Sequence, residues 1–536
     1  MNRSLALSSI LPAALLLALG LAHAAATGPQ HALSASAPAP IETAAAANAP
    51  AASGVYYEIF VRSWYDTNGD GIGDLNGVIA KLDYLKSLGV SGIWLMPINP
   101  SPSYHGYDIT DYYAINPQYG TLADFHHLLA EAHKRGIKVI MDLVINHTSN
   151  QHPWFKSAAN PRSPYHDWYS WSKPGTDLKA ISAAGGPAWH KLGKQYYEGT
   201  FSAEMPDLNY DTPAVRQEMV KVGQYWLKQG VDGFRLDAAQ HIYFDFKSQK
   251  NDPRVLAKNL AWWSEFRQGM DAVEPDAYIV GEVTRDSADE LAPYFKPLSA
   301  VFDFPLASKV IDSVRGERNL DLGRLLAHTD AELAASAGKH GVDAPFLSNH
   351  DQERVMSQLD GNAQHMRMAA AILLTLPGHP FIYYGEELGL RGVKPDPDLR
   401  EAMRWQQATD APGETHWKAL SANQSGAVSV TAEQADPDSL LNLYRRLIGW
   451  RSEIPMLRDG LVQAYQMPEK QLLAYTLADS KGRVLVVHNL SGTARSVRLE
   501  SAHGHPFTTL RRQSKAGVTL EGGHLQLPAY GTAILQ

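Results

Sequence analysis

No cysteine occurs among the 536 residues. Disulfides therefore contribute nothing to stability, even in an oxidising compartment. Positive charge is also scarce, since 48 Lys and Arg against 56 Asp and Glu give a formal net charge of −8. Phosphate binding wants a basic face, so nucleic acid is not an expected partner. Long apolar runs are missing as well, with one exception at the N-terminus. After Met1, Asn2 and Arg3, the stretch from Leu5 to Leu21 is mostly Leu, Ala and Ile, and Ala22-His23-Ala24 follows. That is the build of a cleavable signal peptide over residues 1–24, which places the mature protein in the periplasm or outside the cell. No Cys follows the cleavage pattern, so a lipoprotein is not expected, and no second stretch is long enough to span a bilayer after cleavage.

Residues 25–53 are Ala, Pro and Ser with little else, a composition that cannot bury a core and reads as a disordered linker. From Val55 onward, eight short apolar runs alternate with stretches of helical periodicity. The runs are Val55–Val61, Gly92–Pro97, Lys138–Val144, Gly233–Asp237, Ala277–Val283, Val301–Leu306, Ala344–Asn349 and Pro380–Glu386. Near-continuous apolar strands between helices imply a parallel sheet covered on both faces. Eight such units fit an α/β fold, a closed (β/α)8 barrel, better than an open sheet. The barrel is expected to take residues 54–146 and 213–456. A lobe rich in Trp, Tyr, His and Pro (147–212) is inserted after the third strand, and an antiparallel β-sandwich (457–536) closes the chain.

Three carboxylates lie at the carboxyl ends of these runs: Asp237 in GFRLDA, Glu282 in YIVGEV and Asp351 in FLSNHD. In such a barrel those ends open onto one face, so acids far apart in sequence converge. Two acids across a sugar are what glycosidic cleavage requires. Asp142 ends the third strand, with Asn146 and His147 just beyond, and His350 precedes Asp351. Arg235 lies two residues from Asp237 and so points to the same face, where its charge is expected to keep Asp237 ionised. Glu282 follows an apolar run, a setting expected to raise its pKa toward that of a useful acid. The clusters His126-His127 and His133 fall on a helical stretch and read as solvated surface.

The segments DLVINHT, GFRLDAAQH, VGEV and FLSNHD resemble the four signature regions of the α-amylase family, glycoside hydrolase family 13. GIWLMPINPS, HGYDITDY (105–112) and MPDLN (205–209) extend the likeness. The resemblance implies retaining hydrolysis of α-1,4-glucosidic bonds in starch or maltodextrins. Asp237 would be nucleophile, Glu282 general acid/base, and Asp351 the holder of substrate hydroxyls. Arg235 would orient Asp237, Asp142 would brace the floor, and His105, Tyr107, His147 and His350 would line the subsite of the attacked sugar. Gln240-His241 stands where many α-amylases have Lys-His, removing a cation expected near the reducing-side subsites. MPDLN is intermediate between the QPDLN of oligo-1,6-glucosidases and the MPKLN of neopullulanases. The alternative implied is an α-glucosidase or a glucosyl-transferring enzyme acting on maltooligosaccharides. A barrel that only binds sugar is the third reading, and the three intact acids argue against it.

Asp66-Thr67-Asn68-Gly69-Asp70-Gly71-Ile72-Gly73-Asp74 begins like a calcium loop, with Asp66, Asn68, Asp70 and Asp74 offering side chains and Ile72 a carbonyl. Gly77 stands at the twelfth position, so it is no EF-hand. The loop also resembles a structural calcium site of oligo-1,6-glucosidase relatives. A second calcium, implied by the resemblance, would use Asn146 and the carbonyl of His241, with acidic partners from the lobe that the sequence does not identify. The expected partner is an α-glucan or maltooligosaccharide, and the protein is expected to act as a monomer.

Overall fold

The computed structural model describes residues 53–336, 341–421, 424, 428–499 and 506–536. The expected signal peptide, and all of the expected linker except Ser53, lie outside them. Strands β1 (Tyr56–Ile59), β2 (Gly92–Leu95), β3 (Lys138–Leu143), β4 (Gly233–Leu236), β5 (Tyr278–Gly281), β6 (Ala300–Phe302), β7 (Val342–Ala344) and β8 (Phe381–Tyr383) form one parallel sheet. Its order is β8-β1-β2-β3-β4-β5-β6-β7. Two backbone hydrogen bonds join its outer strands, His379 N to Asp343 O at 2.8 Å and Phe381 N to Pro345 O at 2.9 Å. The sheet is thereby a barrel.

Successive strand residues alternate between two cores, as a period of two demands. Tyr56, Trp94, Ile140, Tyr278, Val280, Phe302 and Phe381 fill the barrel. Their neighbours Tyr57, Ile93, Val139, Met141, Ile279 and Ile382 face outward and pack under the helices. The helices are bounded by local chemistry. Thr121 and Asp124 make a capping box at the start of Leu122–Lys134, while Pro213 opens Pro213–Gln229 and Gly230, at φ +103°, ends it.

Three strands end three or more residues before the sequence expectation. The sixth stops at Phe302, because the Asp303 side chain caps Leu306 N and Pro305 starts a helix there. The seventh runs over Val342–Ala344 and ends where Pro345 has no N–H to pair. The eighth stops at Tyr383, since Gly385 (φ +79°) turns the chain into the 3-10 turn Glu386–Leu388.

The lobe after β3 contains the helix Pro153–Ala158 and a hairpin, Trp189–Leu192 with Gln195–Glu198. Isolated bridges His147 to Asp207 and Tyr169 to Leu208 stitch its ends together. The chain closes with two antiparallel sheets, one of five strands and one of three. Along Leu472–Asp479, Leu472 and Ala474 face the core between the sheets, whereas Leu473, Tyr475 and Leu477 join the core under the barrel helices. Among the described residues, no helix is long and apolar enough to cross a membrane.

Candidate active site

The carboxyl ends of β3, β4 and β5 are held together by one side chain. Arg235, fully buried on β4, reaches three carboxylates. Its Nη1 donates to Asp142 Oδ1 at 2.8 Å and to Asp237 Oδ1 at 2.6 Å, and its Nη2 donates to Glu282 Oε2 at 2.7 Å. The guanidinium lies 5.0 Å from the Trp94 ring. Asp142 also accepts from Tyr107 Oη at 2.9 Å and Trp94 Nε1 at 3.2 Å, which makes it the floor of the site. Glu282 Oε2 takes a second bond from Ala238 N at 3.0 Å. Ala238 has φ +47°, so a left-handed residue directly after Asp237 aims that amide at Glu282.

Asp351 stands apart from this trio. His350 Nε2 lies 3.1 Å from one of its oxygens, and Arg400 Nη2 donates to the other at 2.7 Å. Burial opposes its ionisation, but the charges of His350 and Arg400 outweigh it and hold the carboxyl well below the usual range. His350 is gripped from both sides, with Nδ1 2.6 Å from Glu58 Oε1 and Nε2 2.6 Å from Tyr107 Oη. Burial works against its proton, yet Asp351 and Glu58 raise its pKa to about 9. It is therefore an imidazolium at neutral pH. Replacing Glu58 with Gln removes one of those two charges. The alkaline limb of the activity profile should then move down by roughly one pH unit, and an unmoved limb would show that His350 does not govern it.

The pull of Arg235 on Asp237 is opposed by burial. Burial raises the pKa of Asp237, and likewise of Glu282, while Arg235 pulls both down. One guanidinium shared among three carboxylates cannot neutralise them all, and Asp142 is pushed up to about 7, again by burial first. His147 is neutral, lowered by burial to about 4, with Nε2 at 3.1 Å from the Tyr107 carbonyl. Burial lowers His105 and His241 as well.

These groups open onto a cavity of about 260 Å³ lined by His105, Tyr107, His147, Asp237, Glu282 and Asp351, with Phe201, Met205, Asp396 and Arg400 completing the wall. Gln240 does not present its side chain there. It is buried with its amide nitrogen 3.0 Å from His241 Nε2, so only His241 approaches the pocket, through the Phe201 ring at 5.5 Å. The sequence reading missed Glu58, Trp94, Phe201, Asp396 and Arg400. A charged residue inside the apolar run YYEI was a signal for Glu58. Arg400 follows the last barrel strand in a stretch without periodicity and gave none.

Two oxygen-rich places bear on calcium. In the loop after β1, Asp66 accepts from Asn68 N, Gly69 N and Gly71 N, and Asp70 accepts from Ile72 N. Asp74 caps Gly77 N at 2.7 Å and holds Thr67. The donor set is all oxygen and, among the described residues, none of these aspartates has an ion-pair partner, so the loop fits a hard cation in kind. At the seam of lobe and barrel, Asn146 Nδ2 donates to the His241 carbonyl at 2.8 Å, bringing those two expected groups together. Two acids, Glu198 and Asp207, are buried in the lobe beside this seam. Glu198 Oε1 and Asp207 Oδ1 are buried without a hydrogen-bond partner. Burial raises them to about 8 and about 7, and Asp207 adds to the effect on Glu198. Two orphaned carboxylate oxygens also fit a cation there.

The alpha-amylase catalytic-domain family matches residues 58–460, and the C-terminal domain family of the alpha-amylase SusG matches 472–534. Alpha-amylase 3 of Dictyoglomus thermophilum is 43% identical over 82% of this chain and 84% of its own. The 4-alpha-glucanotransferase of Thermotoga neapolitana is 33% identical over 84% of this chain and 99% of its own. A solved structure, alpha-amylase from H. orenii, superposes with a TM-score of 0.82 at 44% identity, covering 90% of this chain and 98% of that one.

Proposed function

Because the chain belongs to the α-amylase family of glycoside hydrolases, we propose that it cleaves α-1,4-glucosidic bonds in soluble starch and maltodextrins with retention of configuration. The observation that carries this reading is the tie between Asp237 and Glu282 through the two terminal nitrogens of Arg235. Anchorage to one guanidinium keeps the two carboxyls close, as a nucleophile and its acid must be in a retaining site. An inverting pair stands roughly 6.5–9.5 Å apart to admit a water.

In this reading Asp237 attacks the anomeric carbon while protonated Glu282 gives its proton to the departing oxygen. A covalent glucosyl–Asp237 ester forms and the reducing-side sugar leaves. Glu282, now ionised, takes a proton from water, whose oxygen displaces Asp237 and restores both groups. Asp351, kept charged by His350 and Arg400, binds sugar hydroxyls and favours ring distortion. Outside the cytoplasm, where the leader sequence would deliver it, the enzyme would meet glucans too large to import.

A second reading, glucosyl transfer, is favoured by Phe201. This ring is 38% exposed on the lobe side of the pocket, where it would seat an acceptor sugar in place of water. Chromatography of products from soluble starch, maltoheptaose and isomaltose separates the readings. Mixed short maltooligosaccharides, with isomaltose untouched, are expected. Glucose from isomaltose, or products longer than maltoheptaose, would move the assignment to glucosidase or transferase.

Calcium would be structural, held by the Asp66–Asp74 loop and, at the lobe seam, by Glu198 and Asp207 with Asn146 and the His241 carbonyl. Bound there, it would supply positive charge to buried carboxylates and tie the lobe to the barrel. A chelator should lower the melting temperature by several degrees. Asp207→Asn should lose the part of that response that the seam supplies, and an equal response in the variant would leave the seam without a metal role.

A further inference from the structure

A second depression, about 540 Å³ in volume, lies on the lobe where it meets the segment following β4. Its walls include Thr176, Asp177, Ile181, Trp189, Phe246 and Lys247. The floor is fixed by backbone pairing. Ser182 bridges Phe246, Lys247 N donates to Ile181 O at 3.1 Å, and Ala183 N donates to Asp245 O at 3.0 Å. Trp189 opens the lobe hairpin, and its ring stands 6.3 Å from that of Phe246 at an angle of 33°. Two rings set at an angle offer apolar faces against which sugar rings can pack.

Exposed aliphatic side chains lie in and next to its lining. Ile181 is 49% exposed and Leu178 40%. Of six large hydrophobic residues with such exposure among those described, four (Leu178, Ile181, Leu192 and Phe201) lie on this lobe. Of these, Ile181 lines the depression and Phe201 the catalytic pocket. The charged groups in its lining are Asp177, Lys179 and Lys247, none of which has an ion-pair partner among the described residues. One acid and two bases make no strong field of either sign, so a nucleic acid or an anionic membrane would find too little charge. A neutral polyol fits, with hydroxyls for the polar rim and ring faces for Trp189 and Phe246.

The chain segment lining the depression leads back to the wall of the catalytic pocket. The segment carrying Phe246 runs back through Phe244, whose ring stacks on His241 at 5.1 Å, and His241 touches Phe201 in the pocket wall. We propose that the Trp189–Phe246 depression is a second α-glucan site, which holds a stretch of chain outside the catalytic cleft and so favours long substrates. The proposal rests on the α-glucan reading of the active site.

The test uses Trp189→Ala and, at an exposed position that does not threaten the fold, Ile181→Ser. Melting temperature and turnover of 4-nitrophenyl maltotrioside are measured in the parent and both variants. Amylose binding is measured in the same proteins carrying Glu282→Gln, so that the ligand survives. Trp189→Ala should weaken amylose binding about tenfold, and Ile181→Ser about threefold, with maltotrioside kcat/KM within about twofold of the parent. Unchanged amylose affinity in both variants overturns the site. Equal losses on amylose and the maltotrioside also overturn it, because Trp189 would then serve the catalytic pocket. A parent enzyme that releases nothing from any α-glucan fails the functional reading itself, which the parent's own assay reveals first.

Discussion

Glu282→Gln should cut turnover of maltoheptaose by about a thousandfold or more, the scale of a lost general acid/base. Maltooligosaccharide affinity should stay close to that of the parent. The amide keeps the size of the acid, and its carbonyl oxygen can still accept from Arg235 Nη2 and Ala238 N. What it cannot do is give up a proton to the leaving oxygen. A substrate with an activated leaving group should therefore recover the first step in this variant, because such a group departs without protonation. Release of that leaving group in a burst, followed by slow turnover, would report the accumulated glucosyl–Asp237 ester. Full activity of Glu282→Gln on maltoheptaose would remove Glu282 from the mechanism. Loss of sugar binding along with activity would instead show that Glu282 shapes the pocket.

Much of this arrangement was readable beforehand, for a physical reason. Barrel strands buried on both faces must be apolar, so each charged residue at a strand end stands out. Asp142, Asp237 and Glu282 were visible on that ground, whereas Asp351, in FLSNHD, lies well beyond the end of β7. The period of two also placed Arg235 on the same face as Asp237. The sharing of Arg235 among three acids was not readable, because registry across β3, β4 and β5 is a tertiary fact. Arg400, Phe201 and Asp396 come from loops whose path no local pattern encodes. Glu198 and Asp207 illustrate the same limit. Asp207 lies in the MPDLN segment and Glu198 in the strand Gln195–Glu198, yet only the fold of the lobe buries their oxygens without partners. Strand ends went wrong where a helix start competed, as at Asp303 and Pro305, where the cap and the proline overrode an apolar continuation.

Arg235→Met should abolish detectable hydrolysis and also destabilise the protein by about 3–5 kcal/mol at neutral pH, the cost of leaving buried charge without its partner. The pH dependence distinguishes electrostatics from lost packing. In the parent, burial already raises Asp142 to about 7 against the opposing pull of Arg235. Without that pull, Asp142, Asp237 and Glu282 rise further. A carboxyl whose folded pKa exceeds its unfolded value near 4 binds more protons in the folded state. The stability it lends is complete below the unfolded pKa and is lost as pH rises through the folded one. The deficit of Arg235→Met relative to the parent should therefore be small near pH 4.5 and largest above pH 7. Denaturant midpoints at those two pH values measure it, and an equal deficit at both would mean that only packing was lost. Arg235→Lys should rescue part of the stability but little activity, since one ammonium cannot span Asp142, Asp237 and Glu282 with the geometry of two guanidinium nitrogens.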